Sequence, residues 1–250
     1  MVDPFLKIIQ HKPLEGLYNL RDLGGYAAER KQVTCYSRYL RGDLPGNLPP
    51  KTLDTLLDFP LLLSIDLRSA NERASEPSSL SGLDNLKEIH IPLIDDEIMA
   101  TFMNLVNKDS RYILGDFYIH LADHSADRIV RVFKAMAAAV DGRGSILFHC
   151  AQGKDRTGVI AALLLKLCGV SDTDIVANYQ VSYTYLRPKV DPLIAHYPAN
   201  MKQMLRSDYW NMERFLLHFS ERHGFAEEYL LKNGLTPREL NLLKQHLLDA

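Results

Sequence analysis

The spacing of hydrophobic and polar positions changes several times along this chain, and those changes mark its strands and helices. Phe59 to Leu67 is a near-continuous apolar run, as expected of a central strand covered on both faces. Ser145-Ile146-Leu147-Phe148 has the same character; a tight loop follows it, then the apolar run Val159 to Leu167, so this part reads as strand, loop and helix. Leu17 to Leu23 and Val33 to Leu40 predict short strands joined by a polar turn, with Gly24-Gly25 ending the first, and Lys87 to Leu93 alternates as a further strand. Pro49-Pro50-Lys51 opens a short helix through Leu57, since proline is tolerated in a first turn.

From Leu105 onward the pattern is helical. Ile129, Val130, Phe133, Met136, Ala137 and Val140 form one apolar face, and Asp141-Gly142-Arg143-Gly144 turns the chain into the strand at Ser145. Ser171 with Asp174 three residues on is a helix start, and that helix should run to about Tyr185 and stop before Pro188. Residues 186–234 show no strand signal. Thr236-Pro237-Arg238-Glu239 caps a last helix with Leu240, Leu243 and Leu247 on one face. The whole pattern predicts an α/β fold over residues 1–250: a central, mostly parallel sheet flanked by helices, with a helical addition after the central loop.

Composition narrows the class of protein. With 46% hydrophobic residues, a net charge of -2 and a pI of about 6.5, the chain is long enough for one large domain and has no basic footprint for nucleic acid. No apolar run approaches the roughly 20 residues of a membrane span, so no stable membrane insertion is expected. Met1 to Gln10 lacks the features of a secretory signal, which makes a cytoplasmic location the default. Three scattered cysteines are neither a disulfide framework nor a metal cluster, and the nine histidines include no His-Glu-x-x-His or similar spacing, so neither metal nor cofactor is expected in the chemistry.

The candidate chemistry lies in His149-Cys150-Ala151-Gln152-Gly153-Lys154-Asp155-Arg156-Thr157-Gly158. Five residues between Cys150 and Arg156 allow the backbone N–H groups of Ala151, Gln152, Gly153 and Lys154 to curl around one tetrahedral anion above a helix N-terminus. An ordinary cysteine has a pKa of about 8.5, and inward N–H groups with a guanidinium favour its thiolate. Cys150 is therefore the candidate nucleophile, and the planar fork of Arg156 suits two oxygens of a phosphoryl group. Thr157 can donate its hydroxyl to the sulfur, Gly153 and Gly158 allow close approach, and His149 is expected to brace the loop through its ring nitrogens. A nucleotide-binding Walker loop fails, because it needs glycine at Phe148 and Ser or Thr at Asp155.

This signature resembles that of the cysteine-dependent protein tyrosine phosphatase superfamily. The Gly153-Lys154-Asp155-Arg156 filling is similar to one branch, the atypical bacterial tyrosine and phosphoinositide phosphatases, and Asn19 to Gly25, Ser64 to Glu72 and Asn178 to Ser182 also fit that branch. The resemblance implies a phosphatase-like fold and hydrolysis of phosphomonoesters through a phosphocysteine, with phosphorylated proteins or phosphoinositides as substrates. It implies a helical lid or wall in residues 186–234, and export without a classical signal is known among such relatives. Asp155, also aspartate in that branch, is the candidate to protonate the leaving oxygen, which requires it to keep a proton beside phosphate. Asp95-Asp96-Glu97 is the competing acidic stretch, read as a solvated helix start.

Other assignments stay open at this level. Asp66 and Arg68, leaving the carboxyl end of a buried strand, are either site neighbours or an ion-pair network with Glu72 or Arg73. Arg21 and Asp22 are either catalytic neighbours or, the favoured reading, a structural ion pair or turn brace. Lys154 either grips a second phosphate or screens the loop. Sulfur transfer of the rhodanese kind is a rival enzyme class, against which Arg156-Thr157-Gly158 argues. A non-catalytic phosphate-recognition module is the rival outside enzymology, and it would normally have lost Cys150 or Arg156.

Overall fold

Five strands, β1 (Arg21–Asp22), β2 (Tyr39–Gly42), β3 (Leu61–Asp66), β4 (Lys87–His90) and β5 (Ser145–His149), form one sheet in the order β1-β2-β5-β3-β4. Only the β1–β2 pair is antiparallel. This is a computed structural model, and it describes residues 10–98, 113–140 and 144–248. The expectations for Met1 to Ile9, for the helical onset at Leu105 and for the turn at 141–143 lie outside the described residues.

The helices are α1 (Pro50–Leu57), α2 (Ala70–Ser75), α3 (Ile113–His124), α4 (Ala126–Ala139), α5 (Arg156–Leu167), α6 (Asp172–Ile194), α7 (Ala199–Lys202), α8 (Tyr209–His223), α9 (Ala226–Lys232) and α10 (Pro237–Leu248). Alternation along the strands divides the core between two faces. Tyr39, Ile146 and Phe148 join the large cluster with Phe133 and Met136 of α4 and Ile160 and Leu163 of α5, whereas Leu40 and Leu147 join a smaller one with Leu17, Leu56 and Phe59. Every side chain from Arg156 to Leu165 is buried, so α5 is a core helix rather than an amphipathic one. None of the described helices is long and apolar enough to cross a membrane.

Several boundaries differ from the sequence expectation. The N-terminal strands shrink to two and four residues, because the Asp22 carboxylate accepts the amides of Gly24 and Ser37 and because Arg30 and Lys31 adopt φ of 55° and 63° in a tight turn. The long helix α6 does not stop before Pro188 but continues through Pro188 and Pro192 to Ile194. Both prolines face solvent, where lost backbone hydrogen bonds can be satisfied by water, while Leu186 and Val190 hold the inner face in place. The N-terminal box of Ser171 with Asp174 and that of Thr236 with Glu239 form as expected.

Strand order places the chemistry. β5 lies between β2 and β3, with His149 opposite Gly42 on one side and Asp66 on the other. Cys150 therefore leaves the sheet at the same carboxyl edge as Asp43 and Leu67, in the crevice where open α/β sheets hold ligands.

Candidate active site

Residues 150–155 form the loop between β5 and α5, and their carbonyls are tied to its outer side. Asn19 Nδ2 donates to the Gln152 carbonyl at 2.8 Å, and Arg41 Nη2 donates to those of Gly153 and Lys154 at 2.8 and 3.3 Å. The Leu44 amide takes the Ala151 carbonyl at 3.3 Å. None of the backbone N–H groups of residues 151–155 donates a hydrogen bond among the described residues. The five amides of residues 151–155 are thus unclaimed, and Cys150 immediately before them is only 2% exposed. Gly153 makes the curve possible: its φ is +63°, and a Cβ there would lie 2.3 Å from the Gly42 carbonyl. At Gly158 a Cβ would meet only ordinary contacts with Tyr179 and Arg41, so the close approach expected there does not require glycine.

Arg156, the first residue of α5, is held from across the crevice. Its Nη1 and Nη2 donate to the two carboxylate oxygens of Glu72 at 2.5 and 2.8 Å. Glu72 is itself fixed by a capping box, in which Ser69 Oγ accepts the Glu72 amide and Glu72 Oε2 accepts the Ser69 amide. Burial works against charge on Arg156, but the bonds to Glu72 and the nearby Cys150, Glu72 and Asp155 outweigh it and hold the guanidinium above its ordinary value. Burial pulls Arg41 down to about 10, against the opposing influence of the Cys150 sulfur and three tyrosines, which still leaves it cationic near neutrality.

Asp155 is half-buried beside the loop. Its Oδ1 accepts the Tyr118 hydroxyl at 2.5 Å and lies 3.2 Å from Lys154 Nζ, while the Tyr118 and Tyr179 hydroxyls meet at 2.8 Å. Lys154 is fully buried, and its ammonium also donates to the backbone carbonyls of Met204 and Arg206 at 2.6 and 2.8 Å. It faces the helical segment beyond α7 rather than standing out beside the loop.

Asp66 and Arg68 pair with each other. Arg68 Nε and Nη2 donate to the Asp66 carboxylate, and Nη1 donates to the Glu76 carbonyl at 2.7 Å. They hold α2, and so Glu72, in position; Arg73 lies 3.9 Å from the same aspartate. The two residues form an ion pair with each other, the Arg68 guanidinium lying on Asp66 rather than on the Glu72 carboxylate. Arg21 and Asp22 are likewise structural but do not pair together: Arg21 donates to Asn178 and Ser182, and Asp22 lies 3.2 Å from Lys12. Asp95 forks onto Arg128 at the surface.

Two expectations meet a different arrangement. The ring nitrogens of His149 make no well-formed hydrogen bond among the described residues, so bracing comes from the strand backbone, where the His149 carbonyl accepts the Leu67 amide at 2.9 Å. Burial, assisted by Arg68, pulls His149 down to about 4. The Thr157 hydroxyl is buried with no hydrogen-bond partner among the described residues, so it does not donate to the sulfur in this arrangement.

Five contributors escaped the sequence reading as site residues. Glu72, Tyr179 and Asn178 sit within segments already notable, yet nothing local shows that they reach Arg156, Tyr118 and Arg41. Tyr118 lies in a helix with no distinguishing pattern. Arg41 carried a readable signal, a cation at the end of a buried strand.

Comparison with known proteins identifies the family. The chain is 34% identical over 219 residues to a tyrosine-protein phosphatase of Nostoc commune, covering 82% of this chain and 72% of that one. It is 28% identical to a candidate tyrosine-protein phosphatase of Cupriavidus necator, over 64% of this chain and 59% of the relative's length. Among solved structures, P. aeruginosa TpbA shares 15% identity and a TM-score of 0.37, covering 66% of this chain and 90% of that one. Residues 12–249 match the description "tyrosine phosphatase family", and with the Nostoc relative this establishes that the chain belongs to the tyrosine phosphatase family.

Proposed function

We propose that the protein hydrolyses phosphotyrosine in proteins through a covalent phosphocysteine. The observation that carries this reading is the run of unclaimed amides at residues 151–155 directly after the buried Cys150, with the Glu72-held guanidinium of Arg156 next in the chain. Three equatorial oxygens of a phosphoryl group match that set of donors, which also strengthens as charge spreads in the transition state.

Cys150 Sγ attacks phosphorus in line, the P–O bond to the tyrosine breaks, and Asp155 gives its proton to the departing oxygen. Asp155 Oδ1 is engaged by Tyr118 and Lys154, which leaves Oδ2 to face the leaving group. Water then attacks phosphorus, Asp155 takes its proton, and the P–S bond breaks to release phosphate and restore the thiolate. Thr157, one residue after Arg156, assists that departure by rotating its buried hydroxyl toward the sulfur. Residues 186–234 act as the lid or wall over the loop, a role supported by the bonds from Lys154 to Met204 and Arg206. The same bonds remove Lys154 as the grip for a second phosphate, so phosphoserine, phosphothreonine and phosphoinositide turnover rest on the resemblance alone.

Phosphate release from phosphotyrosine, phosphoserine and phosphothreonine peptides and soluble phosphoinositides tests the reading. Wild type should favour phosphotyrosine, Cys150→Ser should abolish turnover, and Asp155→Asn should lose about 10²- to 10⁴-fold, the typical share of general acid catalysis. A wild type that binds phosphopeptide without turnover would replace the enzyme reading with phosphate recognition.

A further inference from the structure

Away from the loop, α3 and α8 run side by side in the same direction. The Gly115 amide donates to Asn211 Oδ1, Arg214 pairs with Asp116, and at the far end His218 and His223 converge on Asp123. His223 Nε2 lies 2.7 Å from Asp123 Oδ1, and His218 Nε2 lies 3.1 Å from Oδ2. One ligand atom from each of the three residues lies within 4.8 Å of the others. The phosphatase chemistry uses none of them.

We propose that Asp123, His218 and His223 bind one divalent transition metal of the zinc class, pinning the ends of α3 and α8 together. Two imidazoles and a carboxylate are a borderline donor set, which suits Zn²⁺, Co²⁺, Ni²⁺ or Cu²⁺ and not Mg²⁺ or Ca²⁺. Bonds of about 2.0–2.2 Å to a tetrahedral ion put ligand atoms roughly 3.3 Å apart, so the 2.7 Å spacing must open by a few tenths of an ångström and any spacing near the 4.8 Å limit must close by about 1.5 Å. A fourth position is left to water.

The ligands are held in advance. The His223 ring is wedged 5.2 Å from Phe219 and 5.0 Å from Tyr229, and the Tyr229 hydroxyl donates to the carbonyl of Ala122, the neighbour of Asp123, at 2.8 Å. Arg222 Nε, 3.5 Å from Asp123 Oδ1, is the competing cation, but its side chain is 62% exposed and free to swing into solvent. Sequence spacing could not reveal this set, because the aspartate precedes the first histidine by 95 positions.

The test is calorimetric titration of tag-free protein with Zn²⁺, in a Cys150→Ser background so that the thiolate cannot compete, with Co²⁺ spectra alongside. One equivalent of zinc should bind, and cobalt should show tetrahedral visible bands without sulfur charge transfer. His218→Ala with His223→Ala should weaken zinc by more than roughly 100-fold, since even outer-sphere changes cost about 10- to 100-fold. Asp123→Asn, which keeps the side-chain shape, serves where the double variant fails to fold, and it should lose the zinc-induced rise in melting temperature. No zinc uptake by the parent protein, or equal affinity in the folded variants, overturns the proposal.

Discussion

Tyr118 bears on the acid role proposed for Asp155 through one buried hydroxyl. Burial, followed by the charge of Asp155 and the neighbouring Tyr179, pushes its pKa well above the ordinary tyrosine value, so it remains a donor across the working pH range. Its bond engages Asp155 Oδ1 and, in the proposed mechanism, leaves Oδ2 for the leaving group. A hydrogen bond to a charged group contributes about 1.5–3 kcal/mol, so Tyr118→Phe, which keeps the packing, should lower kcat roughly 10- to 100-fold. The loss should be large for phenyl phosphate and small for p-nitrophenyl phosphate, whose phenolate departs without a proton. Equal losses on both substrates would mean that Tyr118 supports the whole loop rather than the acid.

At the scale of elements, the loop after β5 and the segment after α7 are joined through Lys154. Its ammonium makes charge-assisted bonds to the carbonyls of Met204 and Arg206, while Ser207 Oγ donates to the Gln180 carbonyl and accepts the Tyr183 amide. Lys154→Met keeps much of the side-chain volume and removes the first set of bonds. Hydrogen exchange at residues 203–207 should then speed by roughly tenfold or more, as loss of charge-assisted bonds of about 1.5–3 kcal/mol implies. Unchanged exchange would show that Ser207 and helix packing hold the segment alone.

The same elements show how far sequence reasoning reached. Continuous apolar runs at β3, β5 and α5 were legible because both faces of these elements are buried, and the Cys150-to-Arg156 spacing was legible because loop and helix are contiguous. The path of α6 through Pro188 was not, since the packing of Leu186 and Val190 overrides a local breaker. Glu72 beneath Arg156 and Tyr118 beneath Asp155 depend on which elements meet across the sheet edge, which no local period encodes.

For the whole molecule, the histidine preceding Cys150 ties stability to pH. His149 is fully buried and pulled down to about 4 by burial and Arg68, against Asp66 and Glu88, from an ordinary value of 6.5. Above pH 6.5 it is neutral folded or unfolded; between about 6.5 and 4 only the unfolded chain takes the proton, so stability falls as pH falls. Below about 4 both states are protonated and this loss stops growing, at about 3 kcal/mol in all. Asp66 and Glu72, held below their ordinary values of 3.8 and 4.5 despite burial by Arg68 and Arg156 respectively, add their losses only under about pH 4.5. Asp22 and Asp43, raised by burial, act with the opposite sign as acid is added. His11 and His120, lowered less and only partly buried, share the sign of His149, so the informative quantity is a difference in slope. Urea unfolding of wild type and His149→Gln at intervals from pH 7 to 4.5 measures it. The wild-type slope below pH 6 should exceed that of the variant by close to one proton, about 1.4 kcal/mol per pH unit. Equal slopes would mean that His149 accepts its proton inside the folded protein, and the β5 edge behind Cys150 would then tolerate a charge that its burial opposes.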